Sequence, residues 1–213
     1  FYQSPFNVKI TTKTKGSTII YTIDGSNPSL DNGTKVVSDD PQQQISVTLY
    51  IDKTTTLRAA AFKQGLIPSN IDTQTYLFLD DIVTQTERPE GYPYPWVSRN
   101  GQSIEGDYGM DPNVVGKLYS LEEIKESLLD IPTVSIVTDK NNLFGTQSGI
   151  QVNPRDSGSS SEREISIEFI NFENSENSQE NAGIRMNGNA SRLVSRPKHN
   201  LRVIFRDDYG KGT

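Results

Sequence analysis

Apolar and polar residues alternate in short runs that end at glycine, aspartate or proline, and only once does a helical period replace this two-residue one. In FNVKITT, Phe6, Val8 and Ile10 alternate with polar residues. In STIIYTIDGSNP, Ile19, Tyr21 and Ile23 are expected to share one face before the Asp24-Gly25 turn. TTTLRAAAFKQG and DTQTYLFLD supply two further strands. No 3.6-residue period occurs before about residue 115. The first third is therefore expected to be a small immunoglobulin- or fibronectin-like β-sandwich, residues 1–78.

The 213 residues suffice for one large domain or two modest ones, and the 33% of hydrophobic residues favours two modules with polar loops. A net charge of −6 removes any general attraction for nucleic acid or anionic lipid, so an anion site has to be local. The absence of cysteine excludes disulfides, thiolate nucleophiles and cysteine-ligated zinc. No stretch approaches the roughly 20 apolar residues of a membrane span, so membrane insertion is not expected. The chain, opening at Phe1 without a signal-peptide pattern, is expected to be a piece of something longer.

Residues 79–106 break the alternation. TERPEGYPYPWVSRNGQ carries Pro89, Pro93 and Pro95, whose fixed φ and missing N–H exclude a central strand or a helix, so a proline-rich, extended connector is expected. Its Tyr92, Tyr94 and Trp96 have two readings: stacking on a sugar, or pinning the connector to a neighbouring domain. The one helix is expected over 121–130, with Ser120 and Glu123 at capping-box spacing, Leu121, Ile124 and Leu128 on one face, and Pro132 ending it. TVSIVTD follows as a strand with Val134 and Ile136 inward. EISIEFINF, AGIRMNG and HNLRVIFR complete an α+β region over 107–213, with Ile165, Ile167 and Phe169 sharing one face, as do Leu201, Val203 and Phe205. NPRDSGSSSERE and ENSENSQEN read as solvated, mobile loops.

Few residues carry a recognisable chemistry. Asp80-Asp81, Glu162 with Glu164, and Asp207-Asp208 lack calcium-loop spacing and read as solvated turn residues. The single histidine, His199, excludes multi-histidine metal sites, and no GxSxG elbow supports a triad, so no metal ligand and no catalytic residue is assigned. The sequons at Asn32 and Asn189 lie in turn-forming contexts that explain them without glycosylation. GNASR is different: it leads from a strand into a basic segment, and Gly188 would let the backbone approach an anion. Around it Arg185, Arg192, Arg196, Lys198, Arg202 and Arg206 concentrate positive charge in an acidic chain. Strand parity turns Lys198, Arg202 and Arg206 away from Leu201, Val203 and Phe205, toward solvent or toward a phosphate-accepting cleft.

Two regions resemble known families. YTIDGSNPS and TTTLRAAAFKQG carry a resemblance, over roughly residues 4–78, to the β-sandwich at the C-terminus of chitobiases and β-hexosaminidases, also called the fibronectin-III-associated domain. That resemblance implies an accessory module of secreted or surface bacterial enzymes, without catalytic residues of its own. DYGMDPNVV, IPTVSIVTDKNNLFG, AGIRMNGNASR and RPKHNLRVIFR together look like the opening of a CotH (spore coat protein H) domain, from about residue 107; SEREIS stands where the family often has Trp and Pro. This second resemblance implies the first part of a kinase-like α+β domain that uses ATP and magnesium to phosphorylate an extracellular or coat protein. Lys198 would be the phosphate-contacting lysine, with Gly188, Asn189 and Ser191 in the adjacent loop and Arg192, Arg196 or Arg202 as alternatives for a similar role. The family's catalytic aspartates are expected after residue 213, so this chain by itself is expected to lack phosphotransfer. The competing expectation is a non-catalytic surface or carbohydrate-associated module with polysaccharide as partner. Either reading places the protein outside a bacterial cell or on its surface.

Overall fold

Alternating β-branched and aromatic residues hold the first segment extended. The computed structural model describes residues 1–172, 178–193, 196 and 198–210. Six strands come first: β1 (Phe6–Thr11), β2 (Thr18–Thr22), β3 (Thr34–Val36), β4 (Ser46–Ile51), β5 (Thr55–Phe62) and β6 (Asp72–Tyr76). β1 pairs antiparallel with β4, Phe6 opposite Ile51 and Ile10 opposite Val47. The other four form an antiparallel sheet in the order β3-β2-β5-β6. Between the two sheets Phe6, Val8, Ile10, Leu49, Ile51, Leu57, Tyr76 and Phe78 make the core of a sandwich. Burial pushes the Tyr76 hydroxyl up to about 12, with Tyr2 and Glu168 adding to the effect.

β3 and β4 were not foreseen among the strands, and the inward face of β2 differs from expectation. Ile19 and Ile20 are both buried, whereas Ile23 lies beyond the strand and is exposed. The strand ends at Thr22 because the Asp24-Gly25 turn begins there: Asp24 Oδ1 accepts hydrogen bonds from the Ser26 N–H at 3.1 Å and hydroxyl at 2.6 Å. Ile20 is opposite Ala60, on the sheet face that also carries Arg58 and Thr73. That face is not solvated, because a second sheet lies over it.

The connector is more structured than a polyproline-II strap. It contains α1 (Leu79–Val83), β7 (Trp96–Val97) and β8 (Ser103–Ile104), the last two paired. Then come α2 (Leu121–Asp130), β9 (Thr133–Val137) and α3 (Lys140–Phe144). In α2 both halves of the capping box are present: the Ser120 hydroxyl accepts from the Glu123 N–H at 3.3 Å, and the Glu123 carboxylate accepts from the Ser120 N–H at 2.8 Å. Lys125 on the same helix pairs with Asp80 of α1 and, at 2.8 Å, with Glu122.

β10 (Arg163–Ile170), β11 (Ser178–Asn187) and β12 (Asn200–Ile204) complete a second antiparallel sheet, ordered β12-β11-β10-β9. Ile165, Ile167, Ala182, Ile184 and Met186 on one face pack with Ile136, Phe169 and Val203 beneath Ile150 and Leu143. Val134, expected inward on β9, shares this parity but is exposed, as are Leu201 and Phe205, because the covering residues gather over the middle of the sheet. The NPRDSGSSSERE loop, expected to be solvated, is exposed over 157–160 but buried at its start, at Asn153 and Pro154, next to the buried Val152. The Asn153 amide holds it by donating to the Thr146 and Gly149 carbonyls at 3.0 and 3.1 Å. Residues 173–177 of the second expected loop lie outside the described residues; from Ser178 the chain is already β11.

Candidate functional site

Gly188 ends β11 with a φ of +96°, and a Cβ there would come within 2.2 Å of the Ser191 hydroxyl. The chain then makes a single 3₁₀ turn, Ala190–Arg192, in which the Ser191 hydroxyl donates to the Asn187 carbonyl at 3.2 Å. Asn189 is exposed. Arg192 is committed elsewhere: its guanidinium donates to the carbonyls of Pro154 at 2.8 Å, Asp156 at 3.3 Å, Gly188 at 3.4 Å, and also Arg155. It ties the glycine turn to the NPRD loop. That loop is tied in turn to the connector by a two-pronged ion pair between Arg99 and Asp156, and by the Arg99 N–H, which donates to Asn153 Oδ1 at 3.2 Å.

Lys198 lies at the same end of the β11–β12 pair, just before Asn200, which is opposite Asn187. Its side chain is 86% exposed, and Nζ stands 3.4 Å from Asp107 Oδ2. His199 beside it makes a 3.2 Å contact through Nε2 with the Leu193 carbonyl. Burial pushes its imidazole below the ordinary value, against the pull of that carbonyl. Its Nδ1 is buried without a hydrogen-bond partner among the described residues. The structure thus brings Gly188, Asn189, Ser191, Arg192 and Lys198 to one end of the sheet, where Lys198 is the exposed cation and Arg192 is a clasp. Among the described residues no three His, Asp or Glu side chains gather as metal ligands.

The aromatic residues of the connector form a separate cluster. Trp96 is 4% exposed, stacks on Phe144 at 5.4 Å, and donates its indole N–H to the Tyr108 hydroxyl at 2.6 Å. The Tyr108 hydroxyl donates in turn to the Pro93 carbonyl at 2.8 Å. Tyr92 packs edge-on against Tyr108 and Phe144 but remains 45% exposed, and Tyr94 lies under the Arg88 guanidinium at 4.2 Å. Phe144 closes α3, so the cluster fastens the connector to the second module.

The constellation absent from the sequence reading lies between the two sheets. Arg58 of β5 is buried, and its guanidinium donates to the Gly25 carbonyl at 3.1 Å, to Asn27 Oδ1 and to the Thr73 hydroxyl at 3.3 Å. The Thr73 hydroxyl donates to Ser166 Oγ of β10 at 2.9 Å. Next to them the Glu168 carboxylate accepts from the Thr75 N–H at 2.9 Å and from the Thr75 hydroxyl, which also meets Ser135 Oγ at 2.7 Å. Burial lowers the Arg58 value against the attraction of Glu164 and Asp139, and burial raises Glu168 against the hydrogen bonds it accepts. Beside Arg58 a polar cleft of about 220 Å³ opens between the modules, lined by Asn70, Glu164, Asn181 and Tyr209 among others. Burial, helped by Glu162, pushes the Tyr209 hydroxyl up to about 12. One sequence signal existed: TTLRAAAF places an arginine inside an otherwise apolar strand, which is costly unless the charge is answered.

Residues 8–76, nearly the whole six-stranded sandwich, match the family model described as Fn3 associated. No curated protein and no solved structure matched the chain.

Proposed function

We propose that this chain belongs to a bacterial extracellular or cell-surface protein in which the Fn3-associated sandwich is the fixed support of a CotH-like kinase domain. Lys198 and the glycine turn would form the phosphate-facing side of its nucleotide site. The observation that carries this reading is the position of Lys198: its ammonium is exposed at the same end of the β11–β12 pair as a turn whose backbone only glycine accommodates. Such an ammonium meets phosphate oxygens as a compact point charge, and the single aspartate beside it at 3.4 Å is easily displaced. ATP with magnesium would supply the transferable phosphoryl group and neutralise its charge. The acceptor would be an extracellular or coat protein.

Displacement of a fluorescent ATP analogue, with and without magnesium, tests the assignment. Lys198→Ala is expected to weaken binding about tenfold, equivalent to about 1.4 kcal/mol, without lowering Tm. Equal affinity in wild type and variant rejects the role of Lys198.

A second reading is favoured by Arg192, whose guanidinium is taken by backbone carbonyls. On this reading the loop is a structural clasp and the domain a non-catalytic scaffold of a carbohydrate-associated surface protein. Tyr92 is then the connector aromatic with surface left for a sugar ring. Because Tyr92 shares a cluster with Trp96, chitin or glucan oligomers would change the indole fluorescence; an unchanged spectrum at saturating oligomer removes the sugar reading.

A further inference from the structure

Arg185 of β11 stands directly opposite Arg202 of β12. Side chains so placed leave the same face as nearest cross-strand neighbours, where like charges repel. Neither arginine has an ionic partner among the described residues. Arg206 shares the parity of Arg202 but is taken by Glu162, 3.3 Å away. In a chain of net charge −6, an unanswered pair of this kind is a local electrostatic deficit.

The same strand carries two more unsatisfied features. β12 is the outer strand of its sheet, and among the described residues its backbone bonds to β11 alone. On its other face Leu201 is 43% exposed, and Phe205, the residue just past its end with the same parity, is 58% exposed. Charge by itself would read as protection of an edge against unwanted pairing. Exposed apolar side chains on the reverse face work against such protection, and make the edge attractive to a strand of matching pattern.

We propose that β12 is a docking edge for an extended acidic segment of a partner protein, added to the sheet as a further strand. Its backbone would satisfy the open N–H and C=O groups of β12. Carboxylates at alternate positions would face Arg202, with Arg185 behind it, and the intervening apolar side chains would cover Leu201 and Phe205. The sign of the partner follows from the two arginines, and its alternation from the two faces of β12. This edge is distinct from the nucleotide reading, since Lys198 takes no part in it.

The test uses a short fluorescein-labelled peptide alternating Glu with Val, followed by anisotropy, and a comparison peptide alternating Lys with Val. The acidic peptide is expected to bind saturably, more weakly as salt is raised, and to protect β12 amides from hydrogen exchange. Arg202→Glu, which turns the repulsion with Arg185 into attraction and so favours folding, is expected to weaken binding at least about tenfold. Phe205→Ser is expected to weaken it with an unchanged circular dichroism spectrum. Absence of binding, equal binding of both peptides, or protection of β12 by concentration-dependent dimerisation without peptide would each overturn the proposal, the last by assigning the edge to a second copy.

Discussion

The sheet formed by β3, β2, β5 and β6 has two buried faces made on opposite terms. Toward β1 and β4 it presents Leu57 and Tyr76 to an apolar core, where burial of area supplies the stabilisation and geometry is permissive. Toward the second sheet it presents Thr73 and Thr75, which hydrogen-bond Ser166 and Glu168 directly, and Arg58, which reaches Ser166 Oγ at 3.5 Å while its other bonds hold the Gly25 turn of its own module. An apolar face can fold against many surfaces of the right size, whereas a face of hydrogen-bonding groups is complete only in one register. The first face makes the sandwich; the second fixes where the sandwich sits.

That contrast can be broken from either side. The largest effect is expected from Leu57→Ala, which opens a cavity in the apolar core and should cost about 2–5 kcal/mol in urea unfolding. A cost well below 1 kcal/mol would mean that the core is not where the stability lies. Arg58→Ala leaves the Gly25 carbonyl, Asn27 and Thr73 without their donor and should cost about 1–3 kcal/mol. Its signature is separation of the unfolding of the two modules into two steps, while Leu57→Ala should weaken the sandwich itself. Ser135→Ala, which removes one hydroxyl from the Thr75 contact, should cost about 1 kcal/mol.

The smallest effect is a change in pH dependence. The Glu168 carboxyl is held above its ordinary 4.5 by burial. Its favourable contribution is therefore fully present below the unfolded value and is lost as pH rises through the raised folded value. Wild-type Tm relative to Glu168→Gln should fall as pH rises from about 4.5, because only the wild type acquires a buried charge. Parallel Tm profiles for the two proteins would show that Glu168 is solvated rather than buried.

The parts of this arrangement legible in the sequence are those that depend on local pattern. The capping box of Ser120 and Glu123 placed α2 at 121–130, and the parity of Ile165, Ile167 and Phe169 identified the apolar face of β10. Alternation also misled, because it reports polarity and not exposure. Ser166 and Glu168 alternate with Ile165, Ile167 and Phe169 on the opposite face of β10, yet both are buried against β6 of the other module. No local rule tells a polar face that meets water from one that meets another polar face. At the candidate site, sequence placed Gly188, Asn189, Ser191, Arg192 and Lys198 in one neighbourhood but could not separate the exposed ammonium from the half-buried clasp. That difference depends on the carbonyls of Pro154 and Arg155, nearly forty positions away.

The Gly25 turn records the same docking in the backbone. A Cβ on Gly25 would lie 3.5 Å from a methyl of Val137 and 3.7 Å from the Thr138 carbonyl, so the two modules meet there with little more than backbone between them. Because the halves also meet through β5, β6, β9 and β10, the polypeptide between them is not their sole link. A protease that nicked the chain among the exposed residues Glu87, Arg88 and Glu90 would leave two fragments that still travel as one particle, and the connector would have served as a tether for assembly rather than as a hinge.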